Sequence, residues 1–424
     1  MAFQISPGVN VSEIDLTTVV PAVSTTAGGY AGQFQWGPVG KLRLITNETG
    51  LVSTFGAPDS NTATSFFSAA NFLAYGNNLQ VVRAANTSSN NAVSGGSAVQ
   101  IKSEDVYDVS YTTDSSTVSF IARYPGALGN SLKVSINTAN TTLNASATFA
   151  NWQYKSSFTA APNTSSYVAS SGGAYDQMHV IVIDEDGLFS NGQKGTVLEV
   201  FPFLSKAADG KNDDGSPSYY RTVLRNQSRY VYALGPTDYA NTSSTWGTNA
   251  AGTSFQGISV GATSSLSGGS TIAVQDADIS TSWDVLANPD TVDVSLLVAG
   301  DASTTIQQKV IDTAVARKDC VAFVSPPSTV ITSATPDTVV STWASTTLSR
   351  ETSYAMADSG WKYQFDKYNN AYRWIPLNGD IAGLCVNTDK VADPWYSPAG
   401  ATRGAIRNVV KLAWNPSQAQ RDTI

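Results

Sequence analysis

Residues 291–327 constrain the fold of this chain more than any other stretch. Val292, Val294, Leu296, Leu297 and Val298 make a short apolar run rich in β-branched residues, closed by Gly300. Asp301 and Ser303 then offer oxygens that cap a helix, and Ile306, Val310, Ile311, Ala314 and Val315 follow at helical spacing. Arg317 and Lys318 fall where the C-terminal end of a helix favours positive charge. A second apolar run, 320–325, is stopped by Pro326 and Pro327. Strand, helix, strand predicts a βαβ unit, whose parallel strands need cover on both faces. The rest of the chain must supply that cover. The unit packs; nothing in it points to catalysis.

A chain of 424 residues allows roughly two to four domains of about 100–200 residues each. Its hydrophobic content of 42% supports a sizeable core, while only 14% of residues are charged, against about 25% in ordinary soluble domains. A surface so poor in charge suits a subunit that buries much of itself against neighbours. Lys and Arg number 25 against 33 Asp and Glu, with no basic run, which argues against direct nucleic-acid binding. Cys320 and Cys385 lie far apart, each inside an apolar segment. They predict buried free thiols made in a reducing compartment, with neither a disulfide framework nor a metal cluster. The N-terminus lacks a basic start and an apolar core, so no signal peptide is visible. No apolar run approaches the roughly 20 residues that cross a bilayer, and no membrane insertion is expected.

Taken in order, Phe3, Ile5, Pro7, Val9 and Val11 alternate with polar residues or glycine. This is a strand pattern with a proline, which an edge or added strand tolerates. Such a stretch is either a detachable arm that adds to another subunit's sheet or the first strand of the chain's own sheet. Residues 28–56 carry Tyr30, Phe34 and Trp36 among glycines, then a Gly37-Pro38 turn, a strand at 42–45 and a helix opened by Asn47. Residues 62–75 predict a helix and 79–83 a strand. An Asn/Ser/Gly-rich linker follows from Asn86 to Gly96. From Ala98 to about Val274 short alternating strands dominate, clearest at 118–123, 132–136, 179–183 and 197–201, with a helix or strand near 219–234. Residues 279–287 lead into the βαβ unit, and 336–350, 381–386 and 403–418 are predicted helices.

Catalytic patterns are present only in part. Gly257, Ser259 and Gly261 match a nucleophile elbow, but Ser/Gly-rich sequence follows rather than a helix, and His179, the one histidine, precedes the serine. His179 opens an apolar strand and reads as a strand residue; one histidine alone makes no His-based metal site. Gly32 to Gly37 has the glycines of a phosphate loop, with Pro38 where lysine is required. Asp184, Asp186 and Gly187, and likewise Asp213, Asp214 and Gly215, could supply carboxylates, but acid-glycine clusters between strands are usually hairpin turns. Trp152 and Trp246 could stack on sugars, but read first as core or interface residues. No catalytic, cofactor-binding or metal site emerges, and the chain is not expected to be an enzyme.

Seven blocks in order carry a resemblance. Ser6-Pro-Gly-Val-Asn-Val-Ser-Glu-Ile14 resembles the opening Pro-Gly-Val motif of contractile phage tail sheath proteins. Gly32-Gln-Phe-Gln-Trp-Gly-Pro38 with Ile45-Thr-Asn-Glu48 and Phe55-Gly56, then Tyr75-Gly-Asn-Asn-Leu-Gln-Val-Val-Arg-Ala84, are similar to the same family's next blocks. Tyr124-Pro-Gly-Ala-Leu-Gly-Asn130 resembles a turn of its inserted region. Tyr363-Gln-Phe-Asp-Lys-Tyr-Asn369, Gly379-Asp-Ile-Ala-Gly-Leu-Cys385 with Thr388-Asp389, and Trp395-Tyr-Ser-Pro-Ala-Gly400 complete the order. The style is that of T-even-like phages.

The resemblance implies a polymer of identical sheath subunits, stacked as rings around a tail tube and bounded by baseplate and tail terminator proteins. Contraction would drive the tube through the host envelope, with no cofactor involved. The resemblance places the protein in the virion tail, assembled in the host cytoplasm. It also implies a further segment beyond Ile424, which in the family helps build the tube-facing domain and a second arm. Residues 86–116 are short where T-even-like relatives carry an extra outer domain, which implies a smoother outer surface.

The expected fold is α+β and multidomain. It comprises an N-terminal arm over 1–21, a mixed α/β core from 22–84 plus 275–424, and a β-rich outer domain inserted at 85–274. The subunit-linking residues are Ile5, Pro7, Val9 and Val11. Two readings compete: a β-rich virion protein that binds or cleaves surface glycans through Asp184, Asp186 and the tryptophans, and a capsid-like shell protein.

Overall fold

A computed structural model describes residues 26–97, 99–111, 118–140, 145–235, 245–258, 261–400 and 402–422. The arm residues Ile5, Pro7, Val9 and Val11 lie outside the described residues. Fifteen strands run through the described residues in chain order. They are β1 (Gly28–Gln33), β2 (Leu42–Ile45), β3 (Leu79–Ala84), β4 (Phe120–Ala122), β5 (Leu132–Thr138), β6 (Gln177–Asp184), β7 (Thr196–Ser205) and β8 (Val231–Ala233). After them come β9 (Ala262–Ser265), β10 (Leu296–Val298), β11 (Val321–Val324), β12 (Ala355–Ala357), β13 (Trp361–Asp366), β14 (Ala371–Pro376) and β15 (Lys411–Leu412).

The predicted βαβ unit is β10, the helix Thr304–Arg317 and β11, with the two strands parallel. Ser303 caps the helix, its hydroxyl accepting from the Ile306 N–H, and Lys318 ends it in a left-handed conformation at φ 64°. The unit belongs to a six-stranded sheet of order β12-β11-β10-β1-β3-β2. Every pair in it is parallel except β2 with β3.

The central strand is β1, in a stretch the sequence presented only as aromatics among glycines. Its glycines answer a packing demand. A Cβ on Gly28 would stand 2.5 Å from Phe72 Cζ, and one on Gly32 would stand 2.5 Å from Tyr30 Oη. The Phe72 ring and the strand's own Tyr30 ring lie closer to these two positions than a side chain there permits. Tyr30 faces a core layer with Phe66, Phe72, Val81, Val298 and Phe323, built on the helix Ala63–Leu73 and closed by Ala382 and Val386 of the helix Asn378–Val391. Ala31 faces the opposite layer, with Trp283, Leu297, Ile306, Val310 and Trp343. Both faces of the parallel sheet are thus covered, as its buried strands require.

Between β3 and β10 lies a β-rich region. Its main sheet is antiparallel, in the order β7-β6-β5-β9. Met178, Val180 and Val182 of β6 pack with Val134, Ile136, Phe201, Leu224 and Trp246 on one face. Ile181 and Ile183 meet Trp152, Phe149 and Phe158 on the other. Residues 219–234 hold both elements weighed for them, the helix Tyr220–Gln227 and the strand β8, which pairs with β4. Arg83, buried at the end of β3, ties this region to the six-stranded sheet. Its guanidinium donates to the carbonyls of Phe34, Gly37, Gln35 and Pro125 at 2.9, 2.7, 3.2 and 2.8 Å.

One predicted helix fails. Residues 403–418 form turns, the short strand β15 and the beginning of a one-turn helix, Gln418–Arg421. Gly404, the β-branched pair Val409-Val410 and Pro416 work against a continuous helix. The backbone instead pairs with β13, Val410 N–H donating to the Tyr363 carbonyl at 2.8 Å. The fold is a mixed α/β arrangement with several sheets.

Candidate assembly surface

Asp184 and Asp214, two of the carboxylates weighed for catalysis, are spent on turns. Asp184 is fully buried, and its two oxygens accept from Ser131 Oγ, from the N–H groups of Gly187, Leu188, Phe189 and Ser190, and from Ser190 Oγ at 2.5–3.1 Å. This saturates the carboxylate and organises the β6–β7 turn. Asp186 is solvent-facing, 3.6 Å from Lys194. Asp214 accepts from the N–H and hydroxyl of Ser216 in a second turn.

The two tryptophans weighed for sugar stacking are core residues. Trp152 stacks on Phe158 and donates to Ser135 Oγ at 2.9 Å, while Trp246 packs edge-on to Tyr220 and donates to the Gln256 carbonyl. In the elbow-like motif, Ser259 lies outside the described residues. A Cβ on Gly257 would stand only 2.0 Å from the Ala139 carbonyl oxygen, so this glycine serves a close backbone approach. Cys320 is buried and Cys385 half-buried, and burial pushes both thiols up to about 11. Among the described residues no three His, Cys, Asp or Glu side chains gather as a metal site.

What the surface does offer is apolar. β13 and β14 form an antiparallel hairpin, with β15 on the far side of β13. Tyr363 lies against Tyr372 and Trp374 at ring separations of 5.4 and 4.8 Å, with Lys411 Nζ 5.1 Å from the Tyr363 ring. Tyr372 is 53% exposed with Phe365 beside it, while Val410 and Leu412 are exposed at the other edge of the sheet, at β15. A groove of about 610 Å³ runs between the helix 63–73, Phe365 and the segment from Ile406 to Val410. Past the helix 378–391, Trp395 is 78% exposed, with its ring 6.4 Å from that of Tyr396, and Val391 is exposed as well. These exposed apolar side chains make the region the candidate interaction surface.

A buried polar cluster fixes this surface to the body. Lys362 Nζ lies 2.8 Å from Asp380 Oδ1 and donates to the Arg407 carbonyl at 2.9 Å. Tyr75 Oη donates to Asp380 Oδ1 and accepts from the Arg407 N–H, while the Arg407 guanidinium lies over the Tyr75 ring. Burial acts against both charges, pushing the Lys362 ammonium down and the Asp380 carboxyl up, and their mutual attraction opposes it. Sequence reasoning used residues 363–369 only as a family block. The aromatic alternation through 361–366 and 371–376, either side of Asn369-Asn370, was the available strand signal.

The known proteins to which this chain is similar share one description. A family model described as the tail sheath protein Gp18 domain III N-terminal region matches residues 25–84, which hold β1 to β3. The tail sheath protein of Enterobacteria phage T4 is 29% identical over 527 aligned residues, covering 99% of this chain and 78% of its own length. The aligned stretch is longer than the chain itself, so the relative carries insertions within it. Tail sheath proteins of Salmonella phage ViI and Vibrio phage KVP40 are 27% and 28% identical, each again across 99% of this chain. A crystal structure of a sheath tail protein from Listeria innocua aligns over 94% of this chain at 11% identity and a TM-score of 0.49, and this chain spans 63% of its length. Across 99% of its length the chain is thus similar to the tail sheath proteins of three bacteriophages.

Proposed function

We propose that this chain is the structural subunit of a contractile tail sheath, which polymerises as stacked rings around the tail tube and contracts to drive the tube through the host envelope. The observation that carries this reading is the similarity to phage tail sheath proteins across 99% of the chain. The low charge content and the exposed apolar surface around β13–β15 support it, since both suit a subunit covered by its neighbours. The reading requires no catalytic residue and no cofactor.

The working partition is an arm over 1–21, a core of 22–84 plus 275–424, and an outer insertion over 85–274. Ile5, Pro7, Val9 and Val11 would add as a strand to a neighbour's sheet edge, where main-chain bonds supply affinity and alternate side chains supply register. A strand held in this way travels with its partner through a rigid-body rotation, so rings remain linked while the lattice shortens. The partners are identical subunits, the tube protein, and baseplate and terminator proteins at the two ends. The place of action is the virion tail, after assembly in the host cytoplasm. Negative-stain microscopy of the full-length product tests the reading. Long striated cylinders are expected, and closed shells or dispersed monomers at high concentration count against it.

A further inference from the structure

β7 carries a bulge opposite the chain's one histidine. Met178 of β6 faces Leu204 and Val180 faces Phe201, so Pro202 and Phe203 together stand across from His179. Phe203 has φ +52°, in the left-handed region. A bulge leaves a main-chain group outside the ladder. Here the Phe203 N–H donates to His179 Nδ1 at 3.1 Å. The other ring nitrogen, Nε2, lies 2.8 Å from the Ala160 carbonyl, and a carbonyl only accepts. The two contacts define one tautomer, with the proton on Nε2 and a bare Nδ1.

The ring sits in an aromatic box. Phe158 stacks on it at 4.2 Å, Trp152 lies parallel at 6.4 Å, and Phe149 and Phe203 close the sides. Every group packed on it is uncharged: Phe149, Trp152, Phe158 and the Ala160 carbonyl from the overlying segment, Phe203 from β7, and Asn137 opposite on β5. The ionisable groups of those elements are committed elsewhere. Lys155 donates to the Ala150 carbonyl, Tyr154 packs on Trp152, and Asp176 accepts from Ser165 and Ser205. A second proton would meet the Phe203 N–H donor head-on and place a full charge among apolar rings.

We infer that His179 is an acid-operated latch, which holds the segment 149–160 and the β7 bulge onto β6 at neutral pH and releases them on protonation. Burial lowers the affinity of the ring for that proton. A depressed value in the closed state means that the open state binds more protons, so closure is fully favoured above about pH 6.5 and weakens as pH falls below it.

Hydrogen exchange of the intact chain, corrected for the intrinsic pH dependence of exchange, tests the latch. Peptides from 149–160 and 200–205 should lose protection by about tenfold or more between roughly pH 7.5 and pH 5, while β1 and β3 keep theirs. The pH response of those peptides should vanish in His179→Gln. A single histidine also gives one ring resonance in the unmodified protein, whose midpoint should fall below about 6.5, with protection declining between that pH and the midpoint. An ordinary midpoint with protection unchanged at pH 5 overturns the inference. So does an equal loss in His179→Gln, and if that variant does not fold, the titration of the unmodified protein decides.

Discussion

Lys362 and Asp380 form an ion pair at 2.8 Å with both side chains out of solvent, and they bolt β13 to the helix 378–391. Lys362→Met leaves a lone carboxylate in the interior and should cost about 3–5 kcal/mol in urea unfolding. The double variant Lys362→Met with Asp380→Leu should recover most of that loss. A single variant as mild as the double one would mean that water reaches the pair.

Gly28 is a test of close packing. Gly28→Ala pushes a methyl group into the Phe72 ring and should destabilise by about 1–3 kcal/mol. Adding Phe72→Leu shortens the opposing side chain and should reverse part of the loss. Thermal melts of the two single variants and the double variant measure the coupling.

Arg83 satisfies four carbonyls at once. Arg83→Met strips donors from buried acceptors and should lower stability by at least about 3 kcal/mol. Arg83→Lys keeps the charge but not the fork, and should fall between the two in the same denaturation assay.

Lys206 is wholly buried, donates to the carbonyls of Ala139 and Gln256, and is pushed down to about 7 by burial. The unfolded chain binds the proton more tightly between that value and the ordinary lysine range, so the contribution of Lys206 to stability rises with pH over that window. The stability difference between the unmodified protein and Lys206→Met should grow in favour of lysine from pH 7 to pH 9, by up to about 1.4 kcal/mol per pH unit. Urea titrations at the two pH values measure it.

Deleting residues 1–16 should abolish tubes and leave a folded monomer. Sedimentation and microscopy read the two outcomes separately, and normal tubes from the deletion would remove the arm assignment.

The βαβ unit was legible because its two strands and its cap sit within one short stretch, where apolar spacing alone separates strand from helix. Asp184-Glu185-Asp186-Gly187 was likewise legible as a turn. β1 was not, since Gly28, Gly29 and Gly32 carry no β-propensity and are explained only by the side chains that crowd them in the fold, Phe72, Leu297 and the strand's own Tyr30. The stretch 403–418 misled for the opposite reason. Its polar and apolar residues suggest helical spacing, yet the partner that decides its conformation is Tyr363 on β13. The apolar surface was hidden in family blocks, because exposure is a property of the folded chain. His179 showed itself as a strand residue, while the rings around it come from 149–158 and from a bulge that no periodicity announces.

The placement of β1 has a consequence for biosynthesis. Its neighbour β3 follows within the same early stretch, but its neighbour β10 is made only after the whole β-rich region has been translated. A nascent chain leaving the ribosome therefore carries the middle strand of its largest sheet with one flank bare, open to pairing with another unfinished copy. Closure of that sheet is a late, long-range event, and the slow step of maturation should be set by it.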